Sequence, residues 1–453
     1  MRTGILTIVA LVATLSVAAA AQARDLGDIL VQKGLITPEE LRQAREEDKQ
    51  KAAAEESRRD AIVAKLPKWL DMIQPFGDLR TRYEGFFAND LIARNRFRYR
   101  ARVGLNVNAS DEFSTTFRLV SGDPNDPIST NQTLNNTFTK KSVNFDQAYM
   151  TLRPGKTFHL EPGWIAIYAG KFGIDKVYRT SELLWDDDLT PEGASETLNL
   201  VDERDGFLRG FRVNALQWVV DEVSNTVDPN IIGGQVVADM AFDDTAKWTV
   251  GFADYDYEGV NRIARKFLEK TSSSFNSSLA NSNRVDHFSN GKISGFQSDF
   301  NVINANTEVN FPNVAGVSAG LFGDLAYNTQ ADNKGLGFAL GAGIGKAGRD
   351  WYHNTLKNQA DWGFSYTFER VEQDAVFSAF SYSDLDYVQQ PATQKGSSNL
   401  TAHILRFDYM LLPNLQLTAK AHFINVLDRA SAIVKLNGND TLLRTQLDAS
   451  YKF

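Results

Sequence analysis

The stretch Arg94-Asn95-Arg96-Phe97-Arg98-Tyr99-Arg100-Ala101-Arg102-Val103 decides the fold. It sets five arginines at every second position, with Phe97, Tyr99, Ala101 and Val103 filling most of the gaps. A β-strand sends alternate side chains to opposite faces, so the stretch reads as one basic face backed by one apolar face. A helix would scatter the same charges around its axis. Five aligned guanidiniums cannot share a dry core, because each would need its own counter-ion, so water must lie beside them. An apolar outside with a wet, charged inside is the pattern of a strand in a membrane barrel whose lumen is a channel.

Bulk composition neither contradicts nor proves this. The chain is 43% hydrophobic and 23% charged, with a net charge of -8. Barrel strands dilute their apolar half with a polar half, so such averages miss them. The absence of Cys excludes a disulfide framework and a thiolate metal site, and it suits a protein that crosses an oxidising periplasm. Residues 1–23 combine Arg2, an apolar run from Gly4 to Ala21 and the A-x-A site Ala21-Gln22-Ala23, which predicts a cleaved secretory signal. Beyond it no stretch reaches the roughly 18 apolar residues of a spanning helix, and an exported chain without such helices enters a membrane only as a closed barrel.

Residues 24–70 differ from everything downstream. Asp25 to Lys33 predicts a short amphipathic helix ended by Gly34, and Thr37-Pro38-Glu39-Glu40 starts a second one, with Thr37 as cap and Glu40 returning to it as a capping box. The following run to about Ala64 is rich in helix formers but too polar to hold a core alone, so it reads as a periplasmic helical spacer. A coiled coil is the alternative, on the loose heptad Leu41, Ala44, Ala52, Ile62 and Leu66.

From Pro75 the period switches to two. Sixteen strands are predicted, near 75–87, 93–108, 112–122, 143–152, 163–172, 193–203, 208–221, 231–242, 246–257, 297–311, 314–328, 335–347, 358–384, 400–411, 414–426 and 443–453. Eighteen is the second choice, since 358–384 is long enough to hide a hairpin at Glu372-Gln373-Asp374. Tight turns such as Ser110-Asp111 and Pro413-Asn414 alternate with long polar links at 123–142, 173–192, 258–296, 385–399 and 427–442, as expected of an antiparallel barrel with both termini in the periplasm. The links 153–162 and 348–357 are longer than that rule expects. Trp164, Trp218, Trp248, Trp351 and Trp362 fall near predicted strand ends, as interfacial aromatics do.

The candidate site is electrostatic. Arg94, Arg96, Arg98, Arg100 and Arg102 continue onto the first strand through Arg80 and Arg82, and Arg118 and Lys171 extend the same basic wall. Opposite in sign, the link after the fifth strand gathers Glu182, Asp186, Asp187, Asp188 and Glu192 in eleven residues. It reads either as a solvated outer loop or calcium site, the latter without the EF-hand Gly and terminal Glu spacing, or as a loop anchored inside the barrel by Leu183, Leu184 and Trp185. In the last case acid faces the arginines across a constriction, a filter built from fixed charge.

Phe76-Gly77-Asp78-Leu79-Arg80-x-Arg82-Tyr83-Glu84, the arginine strand, Asp146-Gln147-Ala148-Tyr149, Ala169-Gly170-Lys171, Leu184-Trp185-Asp186-x-Asp188-Leu189-x-Pro191-Glu192-Gly193 and the terminal Phe453 together resemble the putative-porin family of Gram-negative outer membranes, over about 75–453. That resemblance implies a sixteen-stranded, trimeric general diffusion porin with a third outer loop narrowing the pore. It also implies that Tyr451 and Phe453 belong to a carboxyl-terminal signal read by the barrel assembly machinery.

Other motifs point nowhere else. Gly341-Ala342-Gly343-Ile344-Gly345-Lys346 imitates a phosphate loop, but it lies in a strict alternation whose small face leaves room for an inserted loop or a close subunit. His159, His287, His353, His403 and His422 are dispersed without metal-ligand spacing, and one per strand reads as lumen lining rather than part of a Ser-His-acid set. No enzyme, cofactor, metal or nucleic-acid partner is expected. The reading is a passive channel with weak anion preference; the alternatives are a channel specific for a sugar, organic acid or oxyanion, and an envelope tether contacting the cell wall through 24–70.

Overall fold

The computed structural model describes residues 31, 33–47, 50, 67–89, 93–203, 205–222, 224, 227–243, 245–265, 281–346, 356–388, 393–394, 396–429 and 441–453. The predicted signal at 1–23, the helix from Asp25 and the heptad positions Ala52, Ile62 and Leu66 lie outside these residues, as do Trp351 and His353. The chain divides into two compact units, Met1–Met72 and Ile73–Phe453.

In the first unit residues 38–47 are helical. Their start is the expected capping box. The Thr37 amide donates to Glu40 Oε2 at 2.7 Å and the Glu40 amide donates to Thr37 Oγ1 at 3.2 Å, which satisfies two orphan donors of the first turn.

The second unit is a closed barrel of sixteen antiparallel wall strands, numbered here β1 to β16. They are Ile73–Phe87, Arg94–Asn108, Phe113–Val120, Asn144–Leu152, Ile165–Lys171, Glu192–Asp202, Leu208–Val219, Asn230–Phe242, Ala246–Glu258, Phe300–Val314, Val317–Asn328, Leu336–Gly345, Trp362–Val371, Leu400–Leu412, Leu415–Val426 and Leu442–Lys452. Each pairs with its sequence neighbours, and β1 pairs with both β2 and β16, so no edge is left open. The seam is finished by a reciprocal pair of hydrogen bonds, Gly77 to Phe453 and Phe453 to Gly77, each 3.1 Å.

Alternation sorts the faces as the arginine stretch implied. On β16 Leu443, Leu447 and Tyr451 lie outside while Arg444, Gln446 and Asp448 are buried inside. On β2 Phe97, Val103 and Leu105 are exposed on the outer face. The outer face is not apolar everywhere: Asp254, Asp256 and Glu258 at the end of β9 are exposed on it.

Two expectations need correction. Residues 372–384 are not the second half of a long strand, nor one arm of a hairpin, because β13 stops at Val371 and the chain then turns into the lumen. The apolar run Ala375, Val376, Phe377, Ala379 and Phe380 mimics a buried strand by composition but packs as a loop. Trp218, expected near an interface, is instead buried in the lumen against Trp185, Tyr178 and Phe172.

The lumen of this barrel therefore contains a core. The loop 172–191 after β5 and the loop 372–399 after β13 bury Leu183, Leu184, Trp185, Phe377 and Phe380 against Tyr255, Tyr257, Phe300 and Trp218 of the wall. Trp185 meets Tyr255 edge-on at 5.3 Å and stacks on Tyr257 at 6.1 Å, contacts worth about 1 kcal/mol each beyond area burial. The small face of β12 makes room for this. A Cβ on Gly337 would meet Ala375 at 3.3 Å and Leu183 at 3.6 Å, so the inserted loops lie where the alternation left space.

Candidate functional site

Loop 172–191 turns inward between two glycines in the left-handed region, Gly170 at φ 123° and Gly193 at φ 139°. A Cβ at either would strike the neighbouring strand, at 2.9 Å from Tyr149 Cα and 3.0 Å from Trp218 Cα. Inside, the loop is tied to its counterpart from β13. The Asp186 amide donates to the Phe380 carbonyl at 2.8 Å, and the Asp186 carboxylate accepts from the amides of Ser383 and Asp188, both at 2.8 Å.

The two loops deliver carboxylates to the basic wall. Asp188 lies 3.5 Å from both Arg100 and Arg102, and it also accepts from the amide and hydroxyl of Thr130. Asp384 lies 3.2 Å from Arg82 and 2.7 Å from Arg444. Burial opposes ionisation of both loop carboxyls, but the guanidiniums outweigh it and hold Asp188 and Asp384 well below the usual carboxylate range. Asp186 goes the other way: burial, reinforced by Asp188, pushes its carboxyl up.

The wall also supplies its own counter-charges. Asp78 pairs with Arg100 at 2.9 Å and Arg102 at 2.5 Å, Asp448 with Arg82 at 2.7 Å, and Glu84 with Arg96 and Arg444. Arg98 reaches Glu84 only at 3.9 Å and donates to Ser129 and the Asn131 carbonyl. Arg80 donates to Asn131 Oδ1 at 2.6 Å. Around Phe86, the guanidiniums of Arg94, Arg96 and Arg444 stand 5.2–5.6 Å from the ring centre.

A cavity of about 790 Å³ runs beside this wall. Arg80, Arg82, Arg100, Arg102 and Arg118 of the predicted basic set line it, together with Glu182, Asp187 and Asp188 of the acidic set. Arg94, Arg96 and Arg98 belong to the same strand face but do not line this cavity, and Asp186 is consumed in holding the loops together. Lys171 and Glu192 are corrections. Each stands in register on the outward parity of Ala169 and Ala194, and they pair with each other at 2.9 Å. Parity along 163–172 already sets Lys171 with Ala169 on the outer face, and Glu192 opens β6 rather than ending the loop.

Six further cations line the cavity: Lys176, Arg179, Arg212, Arg406, Lys420 and Lys452. Strand parity could have found Arg212, Arg406, Lys420 and Lys452, since each shares a face with inward polar residues of its strand. The loop residues Lys176 and Arg179 carry no such signal. His422 is fully buried in the lumen, whereas His403 lies on the outer face, where its Nδ1 and the Tyr366 hydroxyl are 2.8 Å apart; it is not a lumen lining. Among the described residues no group of three or more His, Asp or Glu side chains has metal-binding geometry, and no helix is long and apolar enough to cross a membrane.

Comparison with known proteins agrees with this architecture. Residues 87–291 match the family described as putative porin. The barrel is similar to OprB of Pseudomonas putida, at 11% identity and a TM-score of 0.50, over 85% of this chain and 96% of that one. It also aligns with OmpF of Salmonella typhi, solved in complex with daunomycin, at 10% identity and a TM-score of 0.47, over 84% and 97% of the two chains. No curated protein matches the sequence. Residues 87–291 thus match the putative-porin family, and they lie in a closed sixteen-strand barrel with a charged lumen whose fold is that of a solved outer-membrane porin.

Proposed function

We propose that this chain is a passive outer-membrane porin for small hydrophilic solutes and ions, with a weak preference for anions. One observation carries the reading: eleven cationic and six anionic side chains border the lumen cavity, and once Asp146, Glu308, Asp239 and Asp408 are paired with Arg118, Arg179, Arg212 and Arg406, a small positive surplus is left, centred on Arg80 and Lys452. Such a surplus raises the local concentration of anions along the path. The preference is weak because most of these cations already have carboxylates beside them, and the field of a compensated pair fades within a few ångströms of water. The four longest links, after β3, β5, β9 and β13, follow odd-numbered strands, which by the usual rule supports loops facing outside and both barrel ends closing in the periplasm; the links after β4 and β12 are the exceptions.

The homotrimer and the recognition of Tyr451 and Phe453 by the assembly machinery belong to the same proposal. Phe453 supports the second point through its position, since its backbone completes the β1–β16 seam. Reconstitution into planar bilayers tests the function: stepwise ohmic conductance increments in potassium chloride are expected, and a bilayer that stays silent with folded protein overturns the reading. Cross-linking of the purified protein tests the trimer.

A further inference from the structure

We propose that Arg80 and Lys452 form a binding site on the lumen wall for a small divalent oxyanion. This rests on the porin reading and goes beyond it, since a general diffusion channel needs no site. Both residues line the cavity and face inward from adjacent strands: Arg80 stands opposite Ser450 in the β1–β16 register, two residues from Lys452. They differ from the other cations lining the cavity in their counter-charges. Among the described residues neither has a carboxylate within ion-pair distance, and the Arg80 Nε is buried without a hydrogen-bond partner. The carboxylates nearby are already engaged. Asp448 holds Arg82 with two bonds of 2.7 and 2.8 Å, and Asp78 bridges Arg100 and Arg102.

What is left over is a guanidinium fork and an ammonium on one patch of wall, with Ser450 opposite the first and two residues from the second. Asn131 Oδ1 occupies one Nη of Arg80 at 2.6 Å and fixes the guanidinium plane without neutralising it. A ligand with two negative charges and several acceptor oxygens matches this set; a monovalent halide meets only half of it. Orthophosphate and short dicarboxylates share that chemistry. Neutral sugars lack it.

The test is block of chloride current through single channels of the full-length protein at neutral pH, titrating inorganic phosphate or succinate. Wild type should show saturable block by at least one of the two, phosphate alone indicating a compact site and both indicating a site that reads charge. The half-blocking concentration should rise at least tenfold in Arg80→Gln and Lys452→Gln, and less in Arg80→Lys, which keeps the charge and loses the fork. Lys176→Gln, which removes a cavity cation 3.7 Å from Asp175, is the control and should leave block unchanged. Heat-modifiable gel migration reports folding of every variant, and Arg80→Lys keeps the test open should Arg80→Gln misfold. Absence of saturable block by both anions, or an equal shift in Lys176→Gln, overturns the proposal while leaving the porin reading standing. Absence of any wild-type conductance overturns the porin reading instead.

Discussion

Asp384 and Arg82, 302 residues apart in sequence, are ion-paired at 3.2 Å with both side chains buried. Arg82 belongs to β1 and Asp384 to the loop after β13, so this pair clamps a loop rooted four strands away around the barrel onto the arginine wall. Arg444 shares the same carboxylate at 2.7 Å. Asp384→Asn leaves two guanidiniums short of charge in a confined lumen, and removing one partner of a buried pair costs about 3 kcal/mol. The variant should form a barrel, but with larger and noisier single-channel currents than wild type, as the loop loosens.

The same clamp sets a pH window. Asp384 and Asp188 have folded values below the ~3.9 of an unfolded Asp, so their contribution is complete above about pH 4 and is lost only as the pH falls through the folded values. Asp186 acts in the opposite sense: its raised carboxyl makes ionisation costly in the fold, so mild acidification relieves that cost. Conductance traces should therefore stay quiet from neutral to mildly acidic pH and become noisy only under strong acid. Noise that rises steadily from pH 8 to pH 5 would contradict this assignment.

Trp185 holds the loop after β5 by packing against Tyr255, Tyr257, Trp218 and Phe380. Trp185→Ala removes all four ring contacts and should cost about 3–5 kcal/mol of loop anchoring. Limited proteolysis within 172–191 should accelerate, with the barrel still resistant. Equal resistance in wild type and variant would show that the hydrogen bonds of Asp186 suffice.

At the seam, the Phe453 ring covers Gly77. A Cβ there would strike the Arg102 backbone carbonyl oxygen of β2 and stand 2.6 Å from Phe453 Cζ and 2.9 Å from Cε2. Gly77→Val should displace the ring and slow formation of the heat-modifiable barrel several-fold, as should loss of Phe453 itself, while conductance of the molecules that do fold stays normal.

The barrel was legible because its period is two almost everywhere, and one strand with five arginines told which face is wet. All sixteen strands lie where alternation placed them, except that β13 is short. That error has a physical source: Ala375 to Phe380 is apolar because it enters a core inside the barrel, and periodicity cannot distinguish that core from a wall. Leu183-Leu184-Trp185 made the inward turn of the loop after β5 one of two readings, and the small face of β12 left room for either an inserted loop or a close subunit; the structure shows the loop. The pairing of the ladder could not be read. Asp188 and Asp384 reach the arginines through contacts between distant elements, whereas parity along 163–172 already sets Lys171 on the outer face and Glu192 opens β6 rather than ending the loop.

On the proposed reading, a surplus of fixed positive charge on the lumen wall governs what passes. The zero-current potential across a planar bilayer, with a tenfold gradient of potassium chloride, reads this directly. A modest potential with the sign of chloride permeation is predicted, shrinking toward zero in Arg80→Gln/Lys452→Gln. A potential with the sign of potassium permeation, unchanged in that double variant, would contradict the account.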